Sequence, residues 1–166
     1  PHAAVNFTRR MRGTAVIMER FDPELYLSLL GKHQITHSQL VPTMFSRMLK
    51  LPEEVRNAYD VSSLETVIHA AAPCPVQVKQ QMIDWWGPII HEYYGATEAQ
   101  GLTACDSKEW LAHPGTVGKV VIGELHILDD EMKPCPPGTS GNICFVNASE
   151  IEYYNDVELT AEADSP

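Results

Sequence analysis

Two short stretches carry the residue types that chemistry on a phosphate would use. Tyr93-Tyr94-Gly95-Ala96-Thr97-Glu98 combines an aromatic face, a glycine open to close approach, a hydroxyl and a carboxylate. A carboxylate beside a hydroxyl suits a magnesium ion that also holds phosphate oxygens, because magnesium is a hard cation that prefers oxygen ligands. The ring suits stacking on a base. In the second stretch, Ala70-Ala71-Ala72-Pro73, missing side chains let a flat group reach the backbone. Both features also have plain structural explanations. Small residues before a proline serve tight packing, and Glu98 suits the first turn of a helix, where the dipole favours an acid. Residue types alone leave both readings open. His69 ends an apolar run and reads first as a core histidine. Trp85 and Trp86 read as core or surface aromatics. Cys74 lies between prolines with no basic neighbour to lower its pKa, which disfavours a thiol nucleophile.

The elements that must position these residues follow from periodicity and turn formers. Ala15 to Met18 is a short apolar run that predicts a buried strand. Asp22-Pro23-Glu24 predicts a helix start, with Leu25, Leu29 and Leu30 facing inward and a stop near Gly31. Ile35 to Val41 predicts a strand, and Thr43 a cap for a helix carrying Met44, Phe45, Met48 and Leu49. Pro52 to Ser63 is polar and rich in turn formers. A strand over Leu64 to Ala72, a helix over Val76 to Trp86 broken by Gly87-Pro88, and a strand from Ile89 into Tyr93-Tyr94-Gly95 complete the series. Alternating strands and helices predict a parallel α/β sheet, and such sheets bind ligands beyond the carboxyl ends of their strands. From Gly115 onward the runs shorten and alternate: Val117 to Val121, Glu124 to Leu128 and Asn142 to Val146, with turns at Asp129-Asp130 and Pro136-Pro137-Gly138. The predicted fold is therefore α/β, a partial parallel sheet flanked by helices over 1–112, followed by the start of a small antiparallel β subdomain over 113–166.

Composition narrows the function classes. The chain has 166 residues, 44% of them hydrophobic, enough for a substantial core. A formal net charge of -10 leaves no basic excess to neutralise nucleic-acid phosphates or to hold an anionic membrane surface. No apolar run approaches the roughly 20 residues a spanning helix needs. The cysteines, Cys74, Cys105, Cys135 and Cys144, form no CxxC pair and have no histidine at zinc-finger spacing. Scattered reduced thiols fit a cytoplasmic protein. The chain starts at Pro1 and stops at Asp164-Ser165-Pro166, which reads as a piece of something longer.

The order of motifs adds a family. Tyr94-Gly95-Ala96-Thr97-Glu98 resembles the YGxTE signature of the adenylate-forming superfamily, which includes acyl-CoA synthetases, luciferases and peptide-synthetase adenylation domains. Val41-Pro42-Thr43-Met44-Phe45, Tyr59-Asp60-Val61-Ser62-Ser63-Leu64 and Ala70-Ala71-Ala72-Pro73 precede it in the family's order. Pro114-Gly115-Thr116-Val117-Gly118-Lys119 and Gly138-Thr139-Ser140-Gly141-Asn142-Ile143 follow it, so the resemblance spans about Ala15 to Ala163. Glu19-Arg20-Phe21-Asp22-Pro23-Glu24, Glu109 to Gly115 and Glu152-Tyr153-Tyr154-Asn155-Asp156 look like bacterial fatty-acyl-CoA synthetases.

The resemblance implies an ATP-, Mg2+- and coenzyme A-dependent ligase that converts a fatty or similarly apolar carboxylic acid to its acyl-adenylate and then to a thioester. It implies that Ala71, Ala72 and Pro73 line the adenine pocket, that Tyr94 stacks near the adenine, and that Gly95 and Ala96 let the nucleotide approach. Thr97 would contact the phosphate and Glu98 would bind magnesium. His69 matches a position near the acyl pocket, Gly101 one at its wall, and His2 a remnant of a motif preceding the acyl site. The family's lysine-ended phosphate loop, its ribose aspartate and its late catalytic lysine have no counterpart in these residues, so the rest of a parent enzyme is an implied partner and the chain alone is predicted inactive. Another adenylate-former, such as an aryl-acid ligase or adenylation domain, and a non-catalytic nucleotide-binding or interaction module are the alternatives.

Overall fold

In the computed structural model, residues 2–96, 101–146, 157–158 and 160 are described. The chain order is α1 (His2–Arg10), α2 (Pro23–His33), β1 (His37–Leu40), α3 (Pro42–Leu49), α4 (Glu53–Arg56), β2 (Thr66–His69) and α5 (Val76–Trp86). Then come β3 (Ile90–Gly95), β4 (Leu102–Cys105), α6 (Ser107–Ala112), β5 (Lys119–Ile122), β6 (Glu124–Leu128) and β7 (Asn142–Val146). The strands make a five-stranded sheet in the order β1-β2-β3-β4-β5 and a two-stranded sheet of β6 and β7. β1, β2 and β3 pair in parallel, whereas β4 with β5 and β6 with β7 are antiparallel. The predicted α/β sheet with helices and a small antiparallel sheet is thus present, with the larger sheet mixed.

Two compact units divide the chain: 1–92 with 106–116, and 93–105 with 117–166. In the first, register pairs Leu40 with His69 and His69 with Glu92, so these three share one face of the parallel strands. That face is closed by Phe45 and Met48 of α3 and by Met82, Ile83 and Trp86 of α5, all buried. The other face carries Gln39, Ile68 and His91 at matching positions, and Ile68 is exposed there. Ser107, at the start of α6, ties down the head of β3: its hydroxyl donates to the Ile90 carbonyl at 2.7 Å and accepts from the Ile90 amide at 3.0 Å.

Several local expectations change. Ala15 to Met18 form no strand, and Ile17 is 70% exposed. A short apolar run becomes a strand only if a neighbour supplies ladder hydrogen bonds, and none among the described residues does. In α2 the Asp22 side chain caps the helix, accepting from the Leu25 amide at 2.8 Å, as Asp-Pro predicts. The helix nevertheless runs past Gly31 to His33, with Gln34 in the left-handed conformation as its cap. Gly31 instead serves close packing, since a Cβ there would stand 3.0 Å from the Asp60 carbonyl oxygen. Tyr26, Leu27 and Leu30 form the buried face, while Leu25 is half exposed. Thr43 is not the cap of α3: Val41 takes that position without a side-chain bond, and Pro42 opens the helix. The run predicted over Val117 to Val121 forms as β5 and pairs with β4 rather than with β6 and β7. Helices α1, α4 and α6 and strand β4 have no counterpart in the sequence reading.

Candidate nucleotide site and the buried charges beside it

β2 delivers the small-residue segment. Ala70 is buried, and Ala71, Ala72 and Pro73 are exposed beyond the strand. Ala71 sits at φ +73°. A residue with a Cβ is disfavoured in that region by roughly 1–2 kcal/mol, and such strain concentrates at functional sites. Nothing in three consecutive alanines signals it, because alanine has no intrinsic preference for that region.

His69, the last residue of β2, is fully buried. Its ring meets the Phe45 ring edge-on at 5.4 Å between centroids, and Nε2 lies 3.5 Å from Oε2 of Glu92. Among the described residues neither ring nitrogen has a hydrogen-bond partner. Burial, with the Lys79 ammonium nearby, lowers its pKa from 6.5 to about 4, so the ring is neutral at physiological pH. Lys79 is also fully buried. Its Nζ donates to the same Glu92 oxygen at 2.5 Å and lies 5.2 Å from the centre of the buried Trp110 ring. Cys74 is half-buried, and its thiol is pushed up to about 11, first by burial and then by Glu92, with Lys79 opposing. That thiol is protonated and a poor nucleophile.

The Lys79–Glu92 pair lies outside the motifs, although the sequence carries a signal for it. Glu92 follows Ile90 by two residues on one strand face, and Lys79 shares the inner stripe of α5 with Met82, Ile83 and Trp86. Opposite charges on two inward faces must meet or remain unpaired at high cost.

In the second unit, Tyr94 is 41% exposed, which leaves ring surface for a stacking partner. Gly95 has no room for a side chain, since a Cβ would stand 2.8 Å from the Gly101 carbonyl oxygen. Ala96 is exposed. Thr97 and Glu98, which carry the implied phosphate and magnesium roles, lie outside the described residues, as do Glu152 to Asp156. Gly101 is buried, and a Cβ there would fall inside the Phe145 ring. Thr103 donates its hydroxyl to the Val117 carbonyl at 2.7 Å. Gly118, at φ +93°, lies so close to the Ala104 carbonyl that no other residue fits. Val117 and Gly118 of the Gly-Thr-Val-Gly motif are thereby explained as backbone packing against β4.

The exposed Tyr94 ring suits a flat base in kind, whereas the space beside Gly95 is taken by the Gly101 carbonyl and Leu102. Among the described residues no group of three or more His, Cys, Asp or Glu could hold a metal ion, and no helix is long and apolar enough to cross a membrane.

Comparison with known proteins agrees with the motif order. The chain is 32% identical over 163 residues to a 4-coumarate–CoA ligase-like protein of Oryza sativa subsp. japonica, covering 92% of this chain and 29% of that protein. It is 31% identical over 138 residues to a medium/long-chain-fatty-acid–CoA ligase of Mycobacterium tuberculosis, covering 80% of this chain and 23% of the relative. Among solved structures, an amide bond synthetase from Marinactinospora thermotolerans superimposes with a TM-score of 0.75 at 26% identity, over 92% of this chain and 31% of that one. The chain thus spans less than a third of each of these three proteins. The model of the AMP-binding enzyme family matches residues 2–154, and the chain belongs to that family.

Proposed function

We propose that this segment supplies the adenine-facing part of an ATP-dependent acid–thiol ligase whose substrate is a fatty or similarly apolar carboxylic acid. The observation that carries the reading is Tyr94, an exposed ring at the carboxyl end of β3. The matched family and the fatty-acid–CoA ligase of M. tuberculosis support it. In the first step a substrate carboxylate oxygen bonds the α-phosphorus of ATP and the bond to pyrophosphate breaks. In the second, the coenzyme A sulfur bonds the acyl carbon and AMP leaves. The attacking groups belong to the substrates, so the protein positions reactants and stabilises charge. Tyr94 would stack on the adenine, Gly95 and Ala96 would admit the nucleotide, and Ala71 to Pro73 would line the base. Thr97 would contact phosphate and Glu98 would hold Mg2+, which neutralises phosphate charge when bound. His69 and Gly101, both buried, would support the wall of the acyl site from behind rather than touch the acyl group.

The similarity to the 4-coumarate–CoA ligase-like protein of rice favours a second reading, an aryl-acid ligase. Pyrophosphate exchange by the parent enzyme with fatty and aryl acids separates the two. Exchange that is strongest with fatty acids supports the first reading, and strongest with aryl acids the second. Exchange with neither would leave a non-catalytic nucleotide-binding module. The 166-residue chain alone is expected to form no measurable acyl-CoA, because even one missing preorganised donor costs about 100- to 1,000-fold.

A further inference from the structure

Residues 70–75 connect the end of β2 to the start of α5 and carry the left-handed Ala71. Among the described residues, Ala71, Ala72 and Cys74 make no backbone–backbone hydrogen bond, so the connection does not fix its own course. Strain of the kind held at Ala71 persists only where the surroundings over-determine it. Here the two ends of the connection do so. His69, just before it, and Lys79, in the first turn after it, reach the same oxygen of Glu92. That Oε2 lies 3.5 Å from His69 Nε2 and accepts from Lys79 Nζ at 2.5 Å. The Lys79 amide also donates to the Pro75 carbonyl at 3.1 Å, which ties the lysine to the last residue of the connection. Cys74, within it, feels both charges: Glu92 raises its pKa and Lys79 opposes. All of these residues belong to the first compact unit. Stability does not require such a pair, since apolar residues of similar volume commonly replace a buried ion pair at no loss. What apolar residues cannot reproduce is direction, which a charge-assisted hydrogen bond to one carboxylate oxygen specifies.

We propose that Glu92 staples the β2–α5 connection. By holding Lys79 beside His69 it fixes the span between the two ends and keeps Ala71 at positive φ. Lys79 and Glu92 are thus positioning residues for Ala71, Ala72 and Pro73. Their bearing on nucleotide binding rests on the reading of those three residues as the adenine lining, but the test of the staple does not.

The test uses the full chain and compares Ala71→Gly with and without the staple. Alanine held at positive φ is strained and glycine is not, so in the wild type Ala71→Gly should lower the unfolding constant about 3-fold in urea titrations. In the apolar replacement Lys79→Met/Glu92→Leu the connection is free to relax to negative φ. Glycine then adds only freedom to the unfolded chain, and the unfolding constant should rise about 3-fold instead. The one-bond Cα–Hα coupling of Ala71, read by NMR on a 13C-alanine-labelled chain, reports the sign of φ and should change between wild type and double variant. The same gain from glycine in both backgrounds, or an unchanged coupling, would overturn the staple. If the double variant does not fold, the same two readings on Glu92→Gln decide, with the same outcomes for and against. The adenine lining is tested apart, by AMP titration of the parent enzyme carrying Ala72→Trp. Lost affinity supports that lining, and unchanged affinity overturns it while leaving the staple standing.

Discussion

The buried charged and polar residues carry the sharpest tests at the level of single side chains. Lys79→Met alone would strand the Glu92 carboxylate inside the protein, and removing one partner of a buried pair typically costs about 3–5 kcal/mol. Urea unfolding should show that loss, and adding Glu92→Leu should recover most of it. His69 links the fold to pH. Its pKa falls from 6.5 to about 4 on folding, so between those values the unfolded chain binds a proton that the folded chain refuses. The contribution of His69 to stability is therefore complete above about pH 6.5, falls as pH drops toward about 4, and changes no further below that. A His69→Gln variant should show a shallower decline of unfolding free energy from pH 7 to pH 5; an unchanged slope would contradict the assignment. At this scale the motif residues were legible because their types are unusual together. Periodicity puts Lys79 and Glu92 each on an inward face, but they lie on different elements, and only packing reveals that they meet.

Elements with both a start and a stop signal were read closely from the chain. Val76 to Trp86, ended by Gly87-Pro88, forms α5 over the predicted residues, and β6 and β7 match their predicted runs. The failures share a cause. Ala15 to Met18 has apolar character without a pairing partner, and α2 turns Tyr26 and Leu27 inward because of what it packs against. The Asp22 cap carries a direct test: Asp22→Ala should cost about 1 kcal/mol in thermal unfolding. Gly101 gives a second. Its missing side chain is filled by the Phe145 ring, so Gly101→Ala should destabilise by about 1–3 kcal/mol through overpacking. Phe145→Leu should relieve part of that cost in the double variant, which a two-by-two cycle of melting experiments would resolve.

The family match and the spread of relatives' names act at the level of the whole molecule. One relative is named for 4-coumarate, another for medium- and long-chain fatty acids, and a superimposing structure is an amide bond synthetase. A shared scaffold therefore fixes the chemistry of nucleotide engagement more tightly than it fixes the acid. The open face bearing Gln39, Ile68 and His91 fits the same picture, because parallel strands are normally covered on both sides. Ile68 is 36% exposed, so an Ile68→Ser change should cost about 1 kcal/mol, less than the several kcal/mol lost at a fully buried isoleucine. Chemical denaturation would distinguish the two.

The class of fold, the order of the motifs and, through that order, the AMP-binding enzyme family are legible in the amino-acid chain before any folding is considered. Those properties are written locally, in periodicity, turn residues and short spacings, and need no knowledge of neighbours. Tertiary structure alone decided which strand pairs with which, that β5 joins β4, that Ala71 is held at positive φ, and that Lys79 and Glu92 meet beneath β2 and β3. The physical reason is that pairing, strain and burial are relations between distant parts of the chain. A residue's type limits those relations, but only the packed neighbours choose among them.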